Sequence, residues 1–250
     1  MADTIQVQFV TSEGPIRATL AVPPRPLRLA ELALGFVGIS SKLSDIETRV
    51  SEKKGLPIAC TKGCGACCRQ LLQVSAPEAW LLADLVRSMP ASRQAIVRGR
   101  FAEAIARIAD SPLREVFERE AIASDETMKV AVDYFRLGIP CPFLEEESCS
   151  IHPQRPSICR EYLVTSPATS CAKLGDAKID RVPLNMRLSQ AFMNLTAQVL
   201  GTRPELIPMP FALEWAEAHR EEGMRTFDAR TLMEALFAEI AKGTMSSSGG

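Results

Sequence analysis

The sequence has no excess of charge of either sign, since 29 lysines and arginines face 30 aspartates and glutamates for a formal net charge of −1. Proteins that bind nucleic acids by neutralising phosphates show a basic excess or a basic stripe. A long apolar run is also missing. The most apolar window, 27–39, contains Arg28 and Glu31 and is shorter than the roughly 20 residues that cross a bilayer. We therefore expect neither a nucleic acid nor a membrane as a partner.

Secretion signals and a dense set of cysteines are absent as well. The first residues, MADTIQVQFV, have neither the basic segment nor the apolar core of a signal peptide, so we expect a cytoplasmic protein. Eight cysteines in 250 residues are too few for a small disulfide scaffold, where cysteine reaches about 8–10%. In a chain with no export signal, clustered cysteines favour metal ligation or redox chemistry over disulfides.

The apolar pattern predicts a mainly α fold, a helical scaffold with an N-terminal β-hairpin and two irregular cysteine-bearing loops. Residues 5–22 form two β-rich runs around a turn at 12–15. Apolar residues then follow 3,4 spacing from Leu29 to Val50, which fits either a helix packed within its own domain or a dimerising coiled coil. Gly35, Gly38 and the lack of clear charge pairing favour packing within the chain.

Further helices are predicted from caps and periodicity. The first is capped by Ser75 and Glu78 and runs to about Met89, and the second is an amphipathic helix with Val97, Phe101, Ala104, Ile105 and Ile108 on one face. Ser111 and Pro112 open a third helix, and Ser124 caps a fourth, which carries Met128, Val132 and Phe135 and ends at Gly138. The last two helices are one with Leu184, Leu188, Phe192, Leu195 and Val199 that ends at Gly201, and one with Leu232, Met233, Leu236, Phe237 and Ile240 that ends at Gly243.

Four segments are expected along the chain. Residues 1–54 hold the hairpin and the long helix, 55–180 form a cysteine-cluster metal-binding domain with a helical insert, and 181–243 form C-terminal helices packed on it. Residues 244–250 are expected to be a disordered tail, since they are small and polar.

The cysteines form two arrays, one on each side of the helical insert. The first array is C-x3-C-x2-C-C, and the second is a spread set that begins with Cys-Pro-Phe-Leu. The eight predicted metal ligands are Cys60, Cys64, Cys67, Cys68, Cys141, Cys149, Cys159 and Cys171. Thiolates at short spacings let one loop supply two or three donors to zinc or to an iron–sulfur cluster. If the arrays share a metal, the two loops must meet in space.

Local features around the arrays support this interpretation. Gly63 and Gly65 allow the backbone to fold back on a metal, because glycine permits unusual dihedral angles. Pro156 is expected to open a short helical turn in which the helix dipole and nearby arginines favour the thiolate of Cys159. Arg155 and Arg160 fit equally well as surface residues or as residues that support the metal ligands.

The C-x3-C-x2-C spacing also occurs in radical S-adenosylmethionine enzymes. Here Ala66 stands where those enzymes usually have an aromatic residue, Cys68 follows the third cysteine at once, and the repeated β/α units of their barrel are missing. The sequence therefore argues against that class of enzyme.

Taken together, the two arrays resemble the YkgJ-type cysteine-cluster family, which is described as zinc- or iron-chelating. The resemblance rests on C-x3-C-x2-C-C, the C-P-F-L segment, the downstream C-x-I-x-x-x-R-P-x-x-C-R segment and a last cysteine, and it covers roughly 55–172. It implies a metal-binding role for all eight cysteines. The sequence departs from many members at His152, where they carry tyrosine, so we expect a packing role there. His219 is expected at the surface.

The resemblance leaves three hypotheses for function. The first is a protein whose iron–sulfur cluster, of the 4Fe-4S type, or zinc serves redox, metal handling or sensing. The second is an enzyme similar to flagellin lysine N-methylases, although no G-x-G-x-x-G follows a predicted strand. The third is a module that binds a protein partner and holds structural zinc. We favour iron–sulfur over zinc, since the second array does not repeat the C-x2-C of zinc knuckles. Neighbouring Cys67 and Cys68 are expected to point apart, in an extended segment or in a turn. They should therefore serve different sites, or one should bind metal while the other supports the ligands.

Overall fold

The computed structural model describes residues 3–119, 123 and 125–246 of the chain. It starts with two antiparallel strands, β1 (Thr4–Thr11) and β2 (Gly14–Ala21), joined by the predicted turn. Gly14 has φ +108°, a region that glycine enters without steric cost. Along β1 every second side chain is buried, which is the alternation of a strand with one face on a core. The hairpin prediction is confirmed.

Helices account for most of the described residues, as predicted. They are α1 (Leu29–Lys53), α2 (Ala76–Ser88), α3 (Ala91–Ala109), α4 (Arg114–Phe117), α5 (Thr127–Arg136), α6 (Ser157–Glu161), α7 (Ala168–Cys171), α8 (Leu188–Leu200), α9 (Ala212–Ala218), α10 (Arg220–Met224) and α11 (Ala229–Ser246). Two further two-residue strand pairs connect distant parts of the chain, β3 (Leu27–Arg28) with β8 (Thr226–Phe227) and β4 (Gln73–Val74) with β7 (Ile207–Pro208). A third pair, β5 (Leu144–Glu145) with β6 (Ser148–Cys149), is a local hairpin.

The main core lies where α1, α2, α8 and α11 pack together beneath β1. Leu29, Phe36, Phe192 and Leu236 are among its buried side chains, and the Phe36 and Phe192 rings meet edge to face with centroids 6.2 Å apart. The seam predicted on α1 therefore packs within the chain at its N-terminal end. The same core includes Phe143, which brings the second cysteine array against the scaffold.

The helix boundaries follow the predicted caps in most places. Ser75 and Glu78 form the capping box of α2, and Gly201 ends α8 with φ +71°. A smaller core cluster forms between α3 and α5, but α5 buries Val130 and Tyr134 rather than the predicted face, and Met128 is exposed. The cap predicted at Ser124 lies outside the described residues.

Two other helix boundaries were predicted wrongly. Leu184 precedes α8, which begins at Leu188, because the segment before it is extended and Val164 pairs with Arg181. At the C-terminus α11 does not end at Gly243 but continues to Ser246. Residues 244–246 of the predicted tail are therefore helical, and 247–250 lie outside the described residues. The division of the chain into four segments stays a prediction.

Candidate metal centre

The first cysteine array lies on a tight loop between α1 and α2. Gly63 has φ +89°, and the loop then enters a 3-10 turn at Ala66–Arg69, in which the Cys68 amide donates to the Gly65 carbonyl at 3.1 Å. A Cβ atom on Gly65 would lie 2.5 Å from Glu147 Oε2 and 2.9 Å from Leu144 Cδ1. Both glycines that the sequence indicated are therefore required. Gly63 allows the turn, and Gly65 allows the second array to approach closely.

Cys149 of the second array lies on the β5–β6 hairpin, which three ion pairs hold in place. Glu145 is paired with Arg93 and Arg100 of α3, and Glu147 accepts two hydrogen bonds from Arg69 of the first loop. The turn contains Glu146 and Glu147 at φ +47° and +59°, where residues other than glycine are uncommon. These ion pairs fix the strand that carries Cys149 beside the first loop.

Direct hydrogen bonds join the two cysteine arrays. The Cys141 amide donates to the Cys68 carbonyl at 2.6 Å, and the Ala59 amide donates to the Val164 carbonyl at 2.9 Å. The Gln70 side-chain amide donates to the Cys171 carbonyl at 3.2 Å. The expectation that the two loops meet in space is confirmed.

Five thiols line one cavity of about 70 Å³ between the two loops. They belong to Cys60, Cys64, Cys67, Cys159 and Cys171, and the same cavity is bounded by Arg155 and Tyr162. Cys60 is exposed and Cys171 is buried, so the cavity runs from the surface into the protein. We call these five residues the cavity cysteines.

The other three cysteines, Cys68, Cys141 and Cys149, are not among the residues that line this cavity, and we call them the rear cysteines. Cys141 and Cys149 pack against the main core, and Cys68 is linked to Cys141 by the backbone hydrogen bond described above. Cys67 and Cys68 both lie in the 3-10 turn at Ala66–Arg69. Cys67 lines the cavity and Cys68 does not, and their division between sites stays a prediction.

Burial and mutual contact disfavour the thiolate form of these cysteines. Burial raises the pKa of Cys141 to about 12 and raises the pKa of Cys159 well above its ordinary value. The contact with Cys68, together with burial, raises the pKa of Cys67. The expected thiolate of Cys159 is thus wrong for the protein without metal. A bound cation reverses this preference, since a coordinating thiol is deprotonated outright.

The short helix α6, which carries Cys159, is tied to the scaffold at each end. Glu78 of α2 is buried and its Oε1 accepts from the Ser157 amide at 2.6 Å, while its Oε2 accepts from the Ser75 hydroxyl at 2.7 Å. At the other end Glu161 accepts from the amide and the hydroxyl of Ser189 on α8 at 3.0 and 2.5 Å. One carboxylate therefore caps α2 and α6 together, a role that the sequence did not reveal.

The two arginines around Cys159 differ in their surroundings. Arg160 is buried and donates to the Ser41 hydroxyl at 2.6 Å and to the Pro153 carbonyl at 2.7 Å, so it supports the fold. Arg155 lines the cavity, and its Nε is buried without a hydrogen-bond partner among the described residues. Neither is a simple surface residue.

The two histidines lie outside the cavity. His152 is exposed, and burial together with Arg155 and Arg160 lowers its pKa. His219 is half-buried and stacks on Trp215 with ring centroids 4.1 Å apart, so it is partly exposed and also packs against the scaffold. The cavity donors are therefore thiols.

The donor set of this cavity suits zinc or iron, since both bind thiolates. Within the described ranges, no three His, Cys, Asp or Glu side chains are grouped so that they could hold a metal ion. The cavity cysteines instead lie around the cavity between the two loops.

The fold and this site define a helical protein with a thiol-lined, metal-binding cavity. Residues 59–176 match the family model CxxCxxCC, described as "Putative zinc- or iron-chelating domain". The segment is thus a CxxCxxCC domain, and the resemblance drawn from the cysteine pattern is confirmed. The searches of curated proteins and of solved structures gave no match. None of the helices in the described part of the chain is long and apolar enough to cross a bilayer.

Proposed function

We propose that the cavity cysteines bind one four-iron, four-sulfur cluster and that this cluster is the functional element of the protein, used in one-electron transfer or redox sensing. The observation that carries the proposal is the arrangement of five thiols around a cavity rather than around a single ion position. Four cysteines suffice for such a cluster, and two loops that meet across a cavity can supply them. When bound, the cluster accepts or releases one electron.

The residues of the chain support this role in three ways. Cys60 is exposed at the edge of the cavity, so a redox partner can approach the centre there. Cys171 is buried at the other side of the cavity, and solvent exposure is one determinant of the potential of such centres. The five thiols outnumber the four irons, so a cysteine is available for each one, which favours electron transfer over binding of a substrate at an open iron.

The rear cysteines have a supporting role in this proposal. Cys68 and Cys141 join the two loops through their backbones, and Cys149 lies on the anchored β5–β6 hairpin. Ligation by all eight cysteines would imply a second centre. The metal content separates these cases, because one cluster gives about four irons per chain and two clusters give about eight.

Anaerobic purification followed by iron, zinc and acid-labile sulfide analysis tests the proposal. We expect a brown protein with about four irons and four sulfides per chain, whose visible absorption is bleached by dithionite and restored by ferricyanide. Stoichiometric zinc without sulfide would overturn the proposal and favour an interaction module with structural zinc.

We also propose that the protein is cytoplasmic, because thiols stay reduced in that compartment.

The methylase-like alternative makes a different prediction. An enzyme of that kind must bind S-adenosylmethionine, so calorimetry with the iron-loaded protein should detect binding of this compound. An electron-transfer or sensor protein should give no heat of binding. Transfer of a methyl group to a lysine side chain would decide for the enzyme.

The neighbouring cysteines offer a matched pair of variants. Cys67 lines the cavity, and Cys68 does not. We expect Cys67→Ser to abolish most of the iron content, while Cys68→Ser leaves most of it. Circular dichroism checks that both variants are folded. Equal and complete iron loss from both folded variants would contradict the division into cavity and rear cysteines.

A further inference from the structure

Arg155 presents a hydrogen-bond donor to the cavity that the described residues leave unused. Its side chain lines the cavity together with the five cavity cysteines, and its Nε is buried without a hydrogen-bond partner there. A buried donor without a partner is costly, so native structures rarely keep one. A guanidinium cannot relieve this cost by losing its proton, since it stays protonated in proteins.

The backbone around Arg155 is fixed, so this side chain is held at the cavity. The Arg155 carbonyl accepts a hydrogen bond from Arg160 Nε at 3.2 Å, and Pro156 directly precedes α6. Arg160 itself satisfies its guanidinium with Ser41 and Pro153. Arg160 therefore hydrogen-bonds to residues of the fold, whereas Arg155 lines the cavity with the thiols.

The residues that share the cavity with Arg155 come from both arrays. Cys60, Cys64 and Cys67 belong to the first array, and Cys159 and Cys171 belong to the second. The guanidinium therefore lies at the same cavity as thiols of both loops.

We propose that Arg155 binds the cluster directly, with Nε–H donating a hydrogen bond to one of its sulfur atoms, and that this contact raises the reduction potential. The proposal rests on the proposed function. Reduction adds one negative charge to the centre, and a fixed cationic donor stabilises the reduced form more than the oxidised form. Hydrogen bonds to the sulfurs are among the factors that set such potentials.

Arg155→Lys is the variant that isolates the hydrogen bond, because lysine keeps the positive charge but has a methylene group in place of Nε–H. Its matched control is Arg181→Lys. Arg181 stacks over the Tyr162 ring at 4.6 Å and does not line the cavity. Both variants are loaded with iron and sulfide, and their potentials are measured by anaerobic dye titration.

We expect Arg155→Lys to keep the iron and sulfide content of the unmodified protein and to have a lower potential. A shift of about tenfold in the equilibrium between reduced and oxidised cluster corresponds to about 59 mV for a one-electron couple. Arg181→Lys should leave the potential unchanged. A potential in Arg155→Lys equal to that of the unmodified protein would overturn the inference and leave the iron–sulfur proposal intact.

A second measurement needs no variant and therefore survives poor folding or loading of Arg155→Lys. In protein labelled with 15N-arginine, pulsed electron paramagnetic resonance of the reduced cluster should detect one coupled 15N nucleus. Absence of that coupling would overturn the inference. Sulfide-free zinc in the unmodified protein would instead overturn the proposed function, and this is detected by metal analysis before either measurement.

Discussion

The helical scaffold and the cysteine loops of this protein are held together by different interactions. In the scaffold, Phe192 and Leu195 of α8 and Leu236 of α11 are at most 1% exposed and belong to one apolar core. In the loops at 57–70 and 139–172, a few apolar side chains such as Phe143 and Val164 are also buried, but much of the order comes from backbone hydrogen bonds between the arrays, from ion pairs and from buried carboxylates. Burial of apolar surface stabilises the folded state in proportion to the buried area and requires no bound ligand.

The difference indicates how the two regions depend on metal. The scaffold has its own core, whereas the cavity cysteines surround a space that a metal centre would fill. Metal binding to a thiol site supplies folding free energy to the segments that carry the ligands. The two regions can therefore be tested separately, by perturbing one and measuring both.

Removal of the metal should have the largest effect, and it should be local. We expect hydrogen exchange to show loss of protection at 57–70 and 139–172 in the metal-free protein, with the core of α1, α2, α8 and α11 still protected. The comparison is made between metal-loaded and chelator-treated protein. Uniform loss of protection across 184–242 would mean that the metal holds the whole fold together.

Truncation of a core side chain in the scaffold should lower stability and leave metal binding unchanged. Phe192→Ala removes a ring that is 1% exposed and should lower the free energy of unfolding by about 3–5 kcal/mol. The iron bound per folded chain should remain unchanged, since this side chain lies outside the cavity. Urea unfolding and metal analysis of the same sample measure the two quantities. Loss of iron in proportion to stability would break the separation between the regions.

Glu78 links the two regions, and its substitution should affect both. In Glu78→Gln one of the two acceptor oxygens becomes a donor that faces the Ser157 or the Ser75 amide, at a cost of about 1–3 kcal/mol. Iron content should also fall, because α6 carries Cys159.

Glu234→Gln is the control for this variant. Glu234 is exposed and its ion pair with Arg230 lies within one helix, so its loss should change stability by less than about 0.5 kcal/mol. Equal stability and equal iron content in the two variants would show that Glu78 does not couple the regions.

Glu13 at the hairpin turn should give the smallest effect, and one that depends on pH. Hydrogen bonds from Lys53 and Arg49 hold the pKa of this carboxyl below its ordinary value. A depressed pKa stabilises the folded state at pH values above the unfolded pKa of about 4.3, and the contribution disappears as the pH falls through the folded value. Glu13→Gln should therefore unfold slightly more easily at pH 7 and equally at pH 3, as measured by urea titration. The same difference at both pH values would exclude an electrostatic origin.

Much of the scaffold could be predicted because its signals are local. The turn at 12–15, the cap at Ser75 and the terminator at Gly201 each depend on residues within one or two turns of chain. The errors arose where tertiary packing decides between similar faces. In α5, Val130 and Tyr134 are buried instead of Met128, because contact with α3 selects the face.

The candidate site could be predicted as a set of residues but not as an arrangement. Spacing and composition identified the eight cysteines, and the match of 59–176 to a metal-chelating domain agrees with that prediction. No sequence pattern separates Cys67 from Cys68, or Arg155 from Arg160. Their different environments arise from contacts between residues far apart in the chain.

By itself the sequence determined the helical class, the hairpin, the caps and the thiol chemistry, because each follows from residue type and from neighbours close along the chain. Only the tertiary structure decided which thiols line the cavity, which arginine faces them and that Glu78 joins α2 to α6. Glu78 and Ser157 are 79 residues apart. Contacts of that kind depend on how the whole chain packs, and no local pattern records them.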